Sequence, residues 1–129
     1  MEHAHKLLLQ KMYSNYSNGN LKEFLADCSD EITFQVLGKS KLAGKYTKDT
    51  FLSDFFPRLA ELSGGTFKTE VHDILASDRH GAVLVSHHLE RGGKSLQIRS
   101  VNIWRFENAK PVAWYEYPRD LYQFDELLS

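Results

Sequence analysis

A change of period near Thr66 limits this chain's fold more than any other feature. Before it, apolar residues recur at helical spacing: Leu8, Leu9, Met12, Tyr13 and Tyr16, then Leu21, Phe24 and Leu25, then Phe51, Leu52, Phe55, Phe56, Leu59 and Leu62. After it, alternate residues tend to be apolar through FKTEVHDILAS (67–77), AVLVSHHLER (82–91), KSLQIRSVNIWRF (94–106) and PVAWYEY (111–117), which read as four strands. Helices first and long strands afterwards is an α+β order, with three N-terminal helices available to cover one face of a largely antiparallel sheet.

Local signals punctuate this plan. Gly19 in SNGN supplies a left-handed stop, Asn20 with Glu23 resembles a capping box, and Thr47 caps a third helix ended by Ser63-Gly64-Gly65. Pro57 lies inside that third helix and should bend or split it, because it lacks a donor and crowds the preceding turn. EITFQVL (31–37) is a short strand closed by Gly38. Gly92-Gly93 is a two-residue hairpin signal, and ENAK (107–110) reads as a longer loop.

With Arg91 and Lys94 flanking the hairpin turn, His87 pairs with Ile98, Val85 with Ser100, and Val83 with Asn102. Alternation puts Val83, Val85, His87 and Leu89 on one face with Leu96, Ile98, Ser100, Asn102, Trp104 and Phe106. A solid core would rarely collect His, Ser and Asn there, since each buried polar group needs a partner; a pocket would. His87 and Asn102 come out about 13 Å apart at roughly 3.3 Å per residue, so they flank one ligand without touching. Tyr115 and Tyr117 join this face if Phe106 lies opposite Pro111. A slip of one residue substitutes Trp114 and Glu116, which would set a carboxylate in an apolar cavity. His88 points the other way, so the HH pair is no metal site, and His3, His5, His72 and His80 lack ligand spacing; no metal is expected.

The 129 residues are expected to form one domain, 1–129. A net charge of −1 without a basic block excludes a surface that tracks nucleic-acid phosphates. The single cysteine, Cys28, permits no internal disulfide and suits a reducing cytoplasm. The apolar run in MEHAHKLLLQKMY is too short for a signal peptide or a membrane span, so a cytoplasmic location is expected.

Taken together, "NGN", "DEITFQVLG", "LAGKYTKDTFLSDFFPRL" and "GGKSLQIRSVNIWRFENAKPVAWYEYPRD" resemble a SnoaL-like domain. That group, with ketosteroid isomerases and limonene epoxide hydrolases, belongs to the nuclear-transport-factor-2-like (NTF2-like) superfamily. The resemblance implies a cystatin-like cone: a strongly curved sheet around a deep apolar cavity closed by helices, commonly a homodimer through the sheet's outer face. The ketosteroid-isomerase base would fall at Gln35, its acid at Asn102 and its tyrosine at Met12, near Tyr13 and Tyr16; the base is therefore missing. The limonene-epoxide-hydrolase acids and arginine would fall at Tyr117 and near Val85 and His87, and are also unmatched.

SnoaL-type cyclases rely on one acid–base group in an apolar cavity. The resemblance points to His87, from its strand face, and to Asp120, from the "YEYPRD" ending, as catalytic candidates. The plainer role for Asp120 is a cap for the LYQF turn. Tyr13, Tyr16, Gln35, Phe55, Val85, Ser100, Asn102, Tyr115 and Tyr117 are the expected ligand-binding set. The reading is a cofactor-free cyclase, isomerase or hydratase acting on a small apolar molecule with carbonyl or hydroxyl groups. The alternative is a non-catalytic binding or dimerisation module on the same cone.

Overall fold

The computed structural model describes residues 2–129; Met1, the first residue of the expected domain, lies outside them. The chain opens with α1 (Ala4–Ser17), whose first turn is capped by the His3 ring accepting from the His5 amide. Gly19 follows at φ +77°, as the stop requires. Helix α2 (Leu21–Ala26) begins after Asn20, but the Asn20 side chain makes no capping bond, so the expected box is absent. Strands β1 (Thr33–Val36) and β2 (Gly44–Thr47) form a short hairpin, and β2 is an addition to the strands expected.

Thr47 then caps the third helical segment in a reciprocal box with Thr50. That segment is split, as Pro57 requires: α3 (Lys48–Thr50), a π-helical turn (Phe51–Phe55) and α4 (Phe56–Ser63), which has the proline in its first turn. The Phe56 amide reaches the Phe51 carbonyl across the widened turn. The helix thus absorbs the missing proline donor in a π bulge. Four long strands follow: β3 (Lys68–Ala76), β4 (His80–Arg91), β5 (Lys94–Glu107) and β6 (Lys110–Pro118), before a short α5 (Leu121–Leu127).

The six strands run in the order β2-β1-β6-β5-β4-β3, with β1 parallel to β6 and every other pair antiparallel. The β4–β5 register is the one the hairpin signal implies: Arg91 opposite Lys94, His87 opposite Ile98, Val85 opposite Ser100, Val83 opposite Asn102. Helix α1 lies close against the inner face. A Cβ on Gly81 would stand 2.6 Å from Leu9 Cδ1, so glycine there leaves room for the Leu9 side chain. The core combines Leu9, Met12, Phe34, Val83, Ile98 and Trp104, all essentially excluded from solvent.

The β5–β6 connection is tighter than the expected four-residue loop. Glu107 pairs with Lys110, and Asn108-Ala109 turns the chain with φ of +52° and +64°. Phe106 does lie opposite Pro111, but Arg105 then pairs with Ala113, leaving Val112 as an extra residue. This bulge reverses the facing of the rest of β6. Trp114 pairs with Trp104 and Glu116 with Asn102 on the inner face, while Tyr115 and Tyr117 point outward.

Two left-handed positions yield testable costs. An alanine with positive φ is strained, so Ala109→Gly should raise stability by roughly 0.5–1 kcal/mol in urea unfolding. At Gly38, φ is +98° and an added Cβ would fall 2.1 Å from Asp125 Oδ1, which accepts from the Lys39 and Ser40 amides to seat α5. Gly38→Ala should cost roughly 2–3 kcal/mol by the same measurement.

Candidate functional site

The inner face of the sheet carries a continuous chain of hydrogen bonds centred on Glu116. Glu116 Oε1 lies 2.9 Å from His87 Nε2, and Glu116 Oε2 accepts from Asn102 Nδ2 at 2.5 Å and from the Ser100 hydroxyl. Asn102 Oδ1 accepts from the Tyr13 hydroxyl at 2.7 Å, and Tyr13 accepts from Trp104 Nε1 at 3.0 Å. On the other side, His87 Nδ1 lies 2.9 Å from Thr69 Oγ1, which is 3.5 Å from the Tyr16 hydroxyl. No buried side-chain nitrogen or oxygen among the described residues lacks a partner.

The direction of this chain is set at its indole end. Trp104 Nε1 only donates, so Tyr13 must pass its own proton to Asn102 Oδ1. The Asn102 amide group is thereby turned toward Glu116, whose Oε2 can only accept. His87 and Asn102 do not touch, as strand spacing implied; Glu116 spans the gap between them.

This cluster lies beside a narrow, semi-enclosed pocket of about 50 Å³. Tyr13, Tyr16, Thr69, His87, Asn102 and Glu116 form its polar side. The π turn and α4 supply Phe51, Phe55, Phe56 and Leu59, while Trp114 and Phe124 close other walls. The volume suffices for one or two waters, at about 30 Å³ each. A second hollow of about 460 Å³ adjoins it, separated by Tyr16, Phe56, Leu59, Phe67 and Thr69, which line both.

Several expected site residues take other positions. Tyr115 and Tyr117 are on the outer face because of the Val112 bulge; Tyr117 is 44% exposed. Gln35 pairs with Tyr115 across the parallel β1–β6 ladder and shares its outward facing, so it does not line the pocket. Asp120 is exposed and caps α5, its carboxylate accepting from the Gln123 amide at 3.0 Å. Val85 is buried beneath the site and contributes packing. Tyr13, Tyr16, Phe55, His87 and Asn102 line the pocket, and Ser100 reaches it through Glu116. Phe56 stood in the third helix's apolar face, part of an aromatic set expected to contribute to a cavity wall, whereas Thr69 carried no sequence signal for this role. Glu116 did, since a proline in a strand flanked on both sides points to a bulge beside it.

Burial raises the Tyr13 hydroxyl well above its ordinary pKa and also raises that of Tyr16. Burial likewise pushes the Cys28 thiol up to about 12, against a partial opposing pull from Lys48. The folded state therefore holds these protons more tightly than the unfolded chain does. The stability linked to them is complete below about pH 9 and is lost as pH rises toward 12 and beyond. Cys28→Ala should flatten the decline between pH 9 and 12 in denaturation series and leave the tyrosine-linked part above pH 10. In the same assay at pH 7, Glu116→Leu should cost roughly 3–5 kcal/mol, because it strands the buried His87 and its donors.

Comparison with known proteins gives this geometry its class. The structure of Bal32a, from a soil-derived mobile gene cassette, matches with a TM-score of 0.84 at 25% identity, covering 95% of this chain and 94% of that one. An NTF2-like protein of unknown function from Burkholderia pseudomallei matches with a TM-score of 0.79 at 17% identity, covering 95% of each chain. TerC, co-crystallised with polyporic acid, matches with a TM-score of 0.81 at 14% identity, covering 94% of this chain and 95% of its own. The fold is thus the NTF2-like, α+β cone. Residues 9–114 match the SnoaL-like domain, and the chain belongs to that family. Among curated protein sequences none matches.

Proposed function

We propose that this chain binds a compact apolar molecule bearing a carbonyl or hydroxyl group and performs acid–base chemistry on it without a cofactor. The observation that carries the reading is the buried Glu116–His87 pair, 2.9 Å apart, set against an otherwise aromatic pocket. Both His87 nitrogens are engaged, one by Glu116 and one by Thr69. Glu116 Oε1 accepts a single bond and keeps a lone pair for a ligand. Glu116 is thus the group that touches substrate, and His87 orients it.

In an isomerisation or ring closure, Glu116 Oε1 takes the proton from a carbon beside a carbonyl, and the electron pair moves onto the carbonyl oxygen. Tyr16, whose own proton is uncommitted, can donate to that oxygen as charge develops. The proton then returns from Glu116 to carbon at its new position. The surrounding rings keep water out, which strengthens each of these interactions. TerC, with the same fold and co-crystallised with polyporic acid, supports the small-molecule part of this reading.

The small pocket volume favours a second reading, a binding module that holds a ligand without turning it over. In either reading the protein acts in the cytoplasm as a homodimer through the outer face of the sheet, where Leu84, Val101 and Tyr117 form one apolar row. Leu84→Glu should then convert the dimer to a folded monomer in light-scattering measurements.

Deuterium exchange separates the two readings. In D2O the wild-type protein should accelerate loss of the acidic α-hydrogens of 2-tetralone, followed by NMR, over buffer alone. Glu116→Gln, which preserves shape, should lower that rate by about 10²–10⁴-fold. Equal exchange with wild type, Glu116→Gln and buffer would refute the catalytic reading.

A further inference from the structure

The hydrogen-bond inventory at Glu116 also bears on which functional group the ligand presents. Glu116 Oε2 already accepts from both Ser100 and Asn102, and Oε1 makes one bond, with His87 Nε2. Of the carboxylate's four acceptor positions one remains, and it can only receive a proton. No lysine or arginine lines the pocket, so an anion would face Glu116 with no cation to offset it. The walls that oppose it are flat rings: Phe51 and Phe55 stack at 4.3 Å, and Phe56 meets Tyr16 at 6.0 Å and Phe24 at 6.5 Å.

We infer that the site selects an uncharged planar ring carrying a hydroxyl group, a phenol or enol, whose O–H donates to Glu116 Oε1. This inference rests on the acid–base reading for the place where the ligand's polar end sits. It adds that Glu116 is the specificity-determining residue, favouring a hydroxyl over an ether of the same shape. An ether would leave the last lone pair unpaired and add a second acceptor beside it.

The ligand enters by displacing the partition between the pocket and the larger hollow. At about 50 Å³ the inner pocket is below the roughly 150 Å³ that holds a benzene ring. Phe56, at the junction of the π turn and α4, is one of the five residues that line both spaces, and its large ring makes it the one to truncate.

Swapping one oxygen at position 116 gives the inference its sign. In Glu116→Gln the Asn102 amide still points at the Oε2 position, because Trp104 and Tyr13 hold its orientation. The glutamine oxygen must take that place, and its NH2 takes the Oε1 place. There it donates to His87 and offers its second N–H to the ligand. The free position becomes a donor, and the preference turns from hydroxyl to ether.

The test is calorimetric binding of 2-naphthol and 2-methoxynaphthalene at pH 7 to the wild type, Phe56→Ala, Glu116→Gln and the double variant. With Glu116 present, 2-naphthol should bind at least tenfold tighter, and Phe56→Ala should strengthen binding of both compounds. With Gln at 116, 2-methoxynaphthalene should bind tighter than 2-naphthol. Circular dichroism establishes that each variant is folded, and wild type with Phe56→Ala carries the test of preference should the Gln variants fail. Equal binding of the two compounds, a naphthol preference that survives Glu116→Gln, or no binding even to Phe56→Ala would overturn the inference. Tetralone exchange without naphthol preference would sink only this inference; naphthol preference without exchange would sink only the catalytic reading.

Discussion

A carboxylate on the inner face of a sheet must be met by donors, since an unpaired buried ion costs several kcal/mol. Around Glu116 the partners come from the next two strands of the sheet: Ser100 and Asn102 on β5, and His87 on β4. Behind them Tyr13 and Trp104 keep Asn102 from turning over. The polar arrangement is ordered because its far end is an indole that cannot accept. The same chain ties α1, through Tyr13, to β3, β4, β5 and β6, so the helix that covers the cone also orients its buried polar cluster.

The rest of the interior is shaped by aromatic packing. Pro57 removes a helical hydrogen bond, and the π turn that results carries Phe51, Phe55 and Phe56 against Trp114, Phe24 and Tyr16. These rings line the pocket beside Glu116. The unfilled part is small and lies where the polar residues are, with the larger hollow on the far side of Phe56.

Much of the architecture was legible in periodicity. The shift from helical to alternating spacing, the Gly92-Gly93 turn and the Arg91–Lys94 pairing lead directly to the observed β4–β5 ladder, and so to His87, Ser100 and Asn102 on one face. The short strand β2 was not legible, because GKYT has neither length nor alternation. The facing of β6 was legible only as an alternative. Its outcome depended on Val112 bulging beside a proline, which moved Tyr115 and Tyr117 outward and brought Glu116 in. Asp120 and Gln35 were named through family position, and the structure gives them a helix cap and an outer-face pairing instead.

The amino-acid sequence alone determined the α+β order, the hairpin register and the polar residues of β4 and β5 that face inward, because side-chain period and turn chemistry are local properties. Which carboxylate those residues surround, and how much space remains beside it, was decided only in three dimensions. A one-residue bulge reverses every later side chain in its strand, and whether it forms depends on the strands paired on both sides. The volume left inside depends in turn on how rings from separate elements pack together.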